Sequence, residues 1–223
     1  LFHAGDYTDY TISPDSGGSW RSTNYCTTSG SSGDRIVIMA ANKHASYTGE
    51  TTPVIISTGN ELCTSPECLA GDTHPASDYG MGMTLAAYQV VDGIHFQTCI
   101  STAAENVVIQ NCEFSVGGSG QRDGNAASIL IPGESESYNV DIRNNSFHDP
   151  IAFHDHDAGG SHSARTYAII TFSTVATGNG IRIFYNKFYN WDDTASTETI
   201  IYLKDTSHGV NIYYNRFYNS GSF

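Results

Sequence analysis

The sequence predicts an all-β solenoid in which parallel strands stack rung upon rung. Three observations carry that reading. A nine-residue phrase occurs four times from Asn106 onward. Short runs of Ile, Val and aromatic residues precede the later copies. The composition, with 15 % charged residues and abundant Ser, Thr, Asn, Gly and Tyr, suits strands and turns more than helices.

The phrase reads Asn106-Val-Val-Ile-Gln-Asn-Cys-Glu-Phe114, then Asn139-Val-Asp-Ile-Arg-Asn-Asn-Ser-Phe147, Gly180-Ile-Arg-Ile-Phe-Tyr-Asn-Lys-Phe188 and Gly209-Val-Asn-Ile-Tyr-Tyr-Asn-Arg-Phe217. Positions two apart share a strand face, so Val107 with Ile109, and their counterparts in each copy, point inward together. The next column, Cys112, Asn145, Asn186 and Asn215, falls where the strand bends. An inward amide is costly unless paired, and stacking at about 4.8 Å lets each amide bond to the next rung, as an Asn ladder. Phe114, Phe147, Phe188 and Phe217 then return to the interior, and Val91-Asp-Gly-Ile-His-Phe96 is a weaker earlier copy. The intervals are 33, 41 and 29 residues, so the strand unit is fixed and the loops vary.

A second strand is expected ahead of each later copy, at Ser128-Ile-Leu-Ile131, Tyr167-Ala-Ile-Ile-Thr-Phe172 and Thr199-Ile-Ile-Tyr-Leu203. Arg35-Ile-Val-Ile-Met39 and Pro53-Val-Ile-Ile56 read as fully apolar strands of the first part. Apolar runs without helical periodicity favour parallel strands. The chain is read as one domain, with irregular rungs over 1–84 and regular rungs over 85–223.

On the Asn column and the Ile and Phe columns beside it, the chain resembles the right-handed parallel β-helix superfamily, the pectate-lyase-like group. The resemblance covers residues 85–223 well and the opening segment less specifically. It implies a right-handed parallel β-helix. It does not choose a function, because the superfamily includes polysaccharide lyases, glycoside hydrolases, tailspikes, adhesins and fibres.

Charge narrows the partners. Ten Lys plus Arg stand against 23 Asp plus Glu, a formal charge of −13. No basic stripe exists to neutralise nucleic acid phosphates or anionic lipid. No apolar run approaches the roughly 18–20 residues of a membrane span, so no membrane insertion is expected. Cys63-Thr-Ser-Pro-Glu-Cys68 is a tight loop in which a Cys63–Cys68 disulfide is expected, while the pairing of Cys26, Cys99 and Cys112 is open. With the Ser/Thr/Asn-rich surface this suggests an extracellular or cell-surface protein. The chain opens in mid-pattern at Leu1 and stops directly after a rung, so missing natural ends, or ends covered by other subunits, are expected.

Chemistry is expected on loops beside the sheets. The segment from His148 to His162 holds four of the nine His. His154, Asp155, His156 and Asp157, with Asp192 and Asp193 one rung away, could converge on a metal, calcium being the ion if Asp and backbone oxygens alone ligate. Solvated loops are the competing reading. Glu198-Thr-Ile-Ile-Tyr-Leu-Lys204 is similar to the Glu…Lys strand of the alginate and chondroitin lyase group, which implies Lys204 as a base. Here Lys204 lies six residues after Glu198 rather than the family's five, which reverses a face. On the enzyme reading Lys204, Arg165 and His156 are the catalytic candidates. Tyr185 over Tyr214, Tyr189 over Tyr218, and Trp191 nearby are candidates for sugar or subunit contact, with packing between rungs as the alternative.

Two functions follow. The first is a non-catalytic extracellular β-helix that stacks head to tail as a fibre subunit or acts as a surface adhesion module, its partner being a further copy of itself. The second is a secreted carbohydrate-active enzyme, a polysaccharide lyase or glycoside hydrolase, with an extracellular polysaccharide as partner and Ca²⁺ as the candidate cofactor.

Overall fold

The computed structural model describes residues 5–7, 29–40, 54–57, 60–62, 73–75, 81–97, 99–102, 104–115, 125–131, 139–149, 165–171, 180–191, 200–203 and 209–219. Across these the chain is a right-handed parallel β-helix of three sheets. The seven-stranded sheet stacks Gly5–Tyr7, Val54–Ser57, His95–Gln97, Glu113–Ser115, Ser146–His148, Lys187–Tyr189 and Arg216–Tyr218. The six-stranded sheet stacks Ile36–Met39, Gln89–Asp92, Val108–Gln110, Val140–Arg143, Ile181–Phe184 and Asn211–Tyr213. The five-stranded sheet stacks Met81–Leu85, Cys99–Thr102, Asn125–Ile131, Arg165–Thr171 and Ile201–Leu203. Among the described residues every pairing in these three sheets is parallel, and only the small pair Asn60–Leu62 with Thr73–Pro75 is antiparallel.

The repeat is the physical cause of this stacking. In the later rungs the chain runs through the five-, six- and seven-stranded sheets in turn. The corner between the six- and seven-stranded sheets takes two residues. The first is left-handed: Gly93, Asn111, Asn144, Tyr185 and Tyr214 have φ of 73°, 53°, 55°, 57° and 56°. That kink turns the second residue inward, so Ile94, Cys112, Asn145 and Asn186 are buried.

The amides there form a continuous set of bonds. Asn145 Nδ2 donates to Asn186 Oδ1 at 3.1 Å and to the Ile109 carbonyl at 3.0 Å. Asn186 Nδ2 donates to Asn215 Oδ1 at 3.0 Å and to the Ile142 carbonyl at 2.9 Å. Each Oδ1 also accepts a backbone N–H from the preceding rung, so that Asn145 takes Cys112 N–H and Asn186 takes Asn145 N–H. The side-chain groups that would be costly to bury are thereby paired. Cys112 keeps the place in the column without an amide, and its thiol donates to the Gln110 carbonyl at 3.1 Å.

Inside, Phe96, Phe114, Phe147, Phe188 and Phe217 form one stack with centroids 5.3, 4.8, 4.9 and 4.9 Å apart. Val91, Ile109, Ile142 and Ile183 fill the same core from the six-stranded sheet, and Ile100, Ile129 and Ile169 from the five-stranded one. Each such side chain contributes about 1.5–3 kcal/mol by burial. Gly180 is required where the rungs approach closely, since a Cβ there would lie 2.7 Å from the Gly209 carbonyl carbon.

Cys99 and Cys112 are free and buried, and burial pushes both thiols up to about 12. Cys26, Cys63 and Cys68, and with them the expected Cys63–Cys68 bridge, lie outside the described residues. Among the described residues no helix is long and apolar enough to cross a membrane.

Candidate functional site

The outer face of the seven-stranded sheet gathers titratable groups. Because the Phe column points inward, the residues on either side of it point outward. Reading across the rungs, the position before Phe is His95, Glu113, Ser146, Lys187 and Arg216, and the position after it is Gln97, Ser115, His148, Tyr189 and Tyr218. The register alone therefore brings residues 18 to 41 apart in sequence onto one surface.

His148 is the centre of the cluster. Its Nδ1 lies 2.7 Å from Asp149 Oδ2, and its Nε2 lies 3.0 Å from Glu113 Oε1. Asn190 Nδ2 donates to the other Asp149 oxygen at 2.9 Å. The left-handed backbone of Asp149, at φ 48°, swings its carboxylate back toward the ring at the strand end. The His148 and Asn190 hydrogen bonds hold the Asp149 carboxyl below its ordinary value. Carboxylates only accept, so His148 satisfies both neighbours at once only as imidazolium. Glu113, His148 and Asp149 are thereby joined in one hydrogen-bonded chain, with the imidazole side chain 12 % exposed and the Glu113 side chain 48 % exposed.

Two further groups adjoin it. His95 Nε2 and Ser115 Oγ share a short hydrogen bond, and the same nitrogen lies 3.8 Å from Glu113 Oε1. On the other side the His148 ring stacks on Tyr189 at 4.7 Å, and Tyr189 on Tyr218 at 5.0 Å. The rings occupy one another's faces, so the row offers hydroxyl-bearing edges rather than open π-faces along its length. Burial, the Tyr218 hydroxyl and the nearby Glu113 and Asp149 carboxyls push the Tyr189 hydroxyl upward, which keeps it a donor.

The six-stranded sheet shows the contrast. Gln110 Nε2 donates to Asp92 Oδ2 at 2.9 Å, and Arg143 Nε and Nη2 donate to Gln110 Oε1 at 3.0 and 2.7 Å. Arg182 pairs with Asp141. These groups bond to one another as a structural polar ladder between rungs.

Several expected positions fall elsewhere. Tyr185 and Tyr214 stack at 5.3 Å on the corner, half or more exposed, and meet Phe184 and Tyr213 edge-on. Trp191, expected at a contact surface, is instead buried against the core, with its Nε1 unpartnered, because the chain turns inward just after Asn190. The metal candidates His154, Asp155, His156, Asp157, Asp192 and Asp193, and the base candidate Lys204, lie outside the described residues. Arg165 opens a strand of the five-stranded sheet, but its side chain is outside the described set. Among the described residues no group of three or more His, Cys, Asp or Glu could hold a metal.

The inward repeat carries no mark of His95, Glu113, Ser115, His148 and Asp149 as a group. The signal was present in the outward columns flanking the Phe, once read down the rungs instead of along the chain. No family model, curated protein or solved structure matches this chain.

Proposed function

We propose that the protein is a secreted carbohydrate-active β-helix that holds an extracellular polysaccharide along the outer face of its seven-stranded sheet and cleaves it by proton transfer. The observation that carries this is the Glu113–His148–Asp149–Asn190 chain of hydrogen bonds reaching the surface beside the Tyr189–Tyr218 row. Glu113 is its exposed end and the group placed either to protonate the glycosidic oxygen while water adds to the anomeric carbon and the C–O bond breaks, or to take the proton from the sugar carbon next to a uronate carboxyl while the adjacent C–O bond breaks by elimination and the leaving oxygen takes up a proton. His148 is a positioning residue that supplies and retrieves that proton, and Asp149 with Asn190 fixes the ring. The tyrosine edges supply hydrogen bonds to sugar hydroxyls. The sequence resemblance to the pectate-lyase-like superfamily supports the same class of chemistry, and the extracellular location belongs to this proposal.

The test is depolymerisation of a panel of neutral and acidic polysaccharides, followed by viscosity and by new chain ends. Glu113→Gln is expected to slow cleavage by about 10²–10⁴-fold, the range of one acid–base group, with unchanged thermal unfolding. His148→Gln is expected to shift the pH profile as well as the rate. If the two variants cleave as fast as the parent chain, or no polysaccharide is shortened, the proposal fails.

A second reading, a fibre or adhesion module built by stacking, is supported by one observation. Ile212 is 42 % exposed, although Ile142 and Ile183 in the same column are fully buried. A further rung, from this or another molecule, would cover it. Filaments of native material in electron micrographs would favour that reading, and discrete particles would dismiss it.

A further inference from the structure

We infer that Lys187 and Arg216 form a subsite for an anionic group of the glycan, a carboxylate or a sulfate, and so determine specificity on this face; the inference rests on the reading that the face holds a polysaccharide. The two residues are register partners on adjacent parallel strands, in the outward position before Phe188 and Phe217. Strands there lie about 4.8 Å apart, so two cations stand side by side, an arrangement that is unfavourable without a counter-charge.

The chain has 23 carboxylate residues against ten Lys and Arg, so partners are plentiful. Yet among the described residues neither Lys187 nor Arg216 forms an ion pair. Ser146 occupies the same column between Glu113 and Lys187, so within that column a neutral side chain separates the acid from the cations. Elsewhere, Arg182 is paired with Asp141 and Arg143 with Gln110. Among the described residues, the cations in the outward columns of these two sheets that have neither an ion pair nor a side-chain hydrogen bond are thus confined to this position.

The surroundings fit a charged sugar. Tyr189 and Tyr218 lie two residues further along the same strands and present their edges beside the cations. Tyr185 and Tyr214 lie two residues before them on the corner. An ammonium and a guanidinium at this spacing can share one carboxylate or sulfate, the guanidinium through two parallel N–H groups. Lys187 is two rungs from Glu113 and Arg216 three, so the anchored charge sits roughly 10–15 Å along the axis from the Glu113 carboxyl. That is a few sugar units, close enough to fix which linkage meets Glu113. An acidic protein that nonetheless captures an acidic polymer needs such a local site.

The test is equilibrium binding of the full chain to alginate (carboxylate), dextran sulfate (sulfate) and dextran (uncharged), at low and high salt. The parent chain is expected to bind at least one charged polymer more tightly than dextran, with affinity falling as salt rises. Lys187→Gln and Arg216→Gln are each expected to weaken that binding about tenfold, the size of one charge-assisted contact, and Lys187→Arg to retain it. Preference between the two charged polymers identifies the group. If dextran binds as tightly as both, or the double Gln variant binds charged polymer like the parent, the subsite is overturned while the glycan-binding face survives. Binding to none of the three overturns the subsite and the glycan face together.

Discussion

The two faces of the seven-stranded sheet are one residue apart in sequence and opposite in character. Inward, the same side chain returns at each rung from Phe96 to Phe217, and each ring lies about parallel to the next. Outward, His95, Glu113, Ser146, Lys187 and Arg216 follow one another with no repetition. A solenoid core is a one-dimensional stack, so each rung is stabilised by a neighbour of matching shape, and identity is the simplest match. The outer face has no such requirement. Variation there costs little stability, and chemistry can be placed at chosen rungs.

The largest expected effect lies on the inner side. Asn186→Ala removes two donated and two accepted side-chain hydrogen bonds and leaves the Asn145 N–H without the acceptor it has in the interior. A loss on the order of 5 kcal/mol is expected, read by denaturant unfolding. The exposed Asn190→Ala makes the paired control, with a change of about 1 kcal/mol or less. Equal effects for the two would erase the distinction between the buried and exposed sides.

Phe147→Ala comes next. Its ring is fully buried between two others, 4.8 and 4.9 Å away, and its removal is expected to cost about 3–5 kcal/mol. A substitution one residue on, His148→Gln, is expected to change stability far less while altering the pH profile of cleavage. A His148→Gln chain as destabilised as Phe147→Ala would make the outer cluster structural.

These two residues also show what the sequence reveals and what it hides. The spacing of Val, Ile, Asn and Phe is legible because it repeats, and repetition within one chain signals packing. His148 and Asp149 occur once, at the end of a strand, next to a run of His and Asp that draws attention to the loop. Glu113 stands in a copy 33 positions earlier, as its bond to His148 spans 35 residues. Only register converts that separation into 3.0 Å. Trp191 misleads for the related reason that its burial depends on where the chain turns after Asn190, and the repeat stops before that point.

A smaller effect is expected from acid. The Asp149 carboxyl is held low by His148 and Asn190, so its contribution is present above the ordinary carboxylate range and is lost as pH falls through its lowered value. Asp149 is largely exposed, and solvent screening keeps this contribution modest. The melting temperatures of the parent chain and Asp149→Asn should therefore converge as pH falls below the ordinary carboxylate value of about 4 and through the lowered Asp149 value. A gap that widens on acidification would place the carboxyl's stabilising partner elsewhere.

The smallest effect is at the corner that joins the two sheets. Tyr185 is left-handed at φ 57° and stacks on Tyr214 at 5.3 Å. A β-carbon in that conformation costs about 1 kcal/mol, and an exposed ring pair returns a similar amount. Tyr185→Ala loses the stacking and keeps the strain, whereas Tyr185→Gly loses the stacking and releases the strain. Glycine is therefore expected to be the milder substitution by about 1 kcal/mol, the reverse of its ordinary rank against alanine within a strand or helix. Unfolding curves of the two variants decide this. Alanine proving the milder would mean that the corner relaxes out of the left-handed region once the ring is gone. The two-residue turn would then owe its shape to the stacked tyrosines rather than to the buried Asn186 that follows.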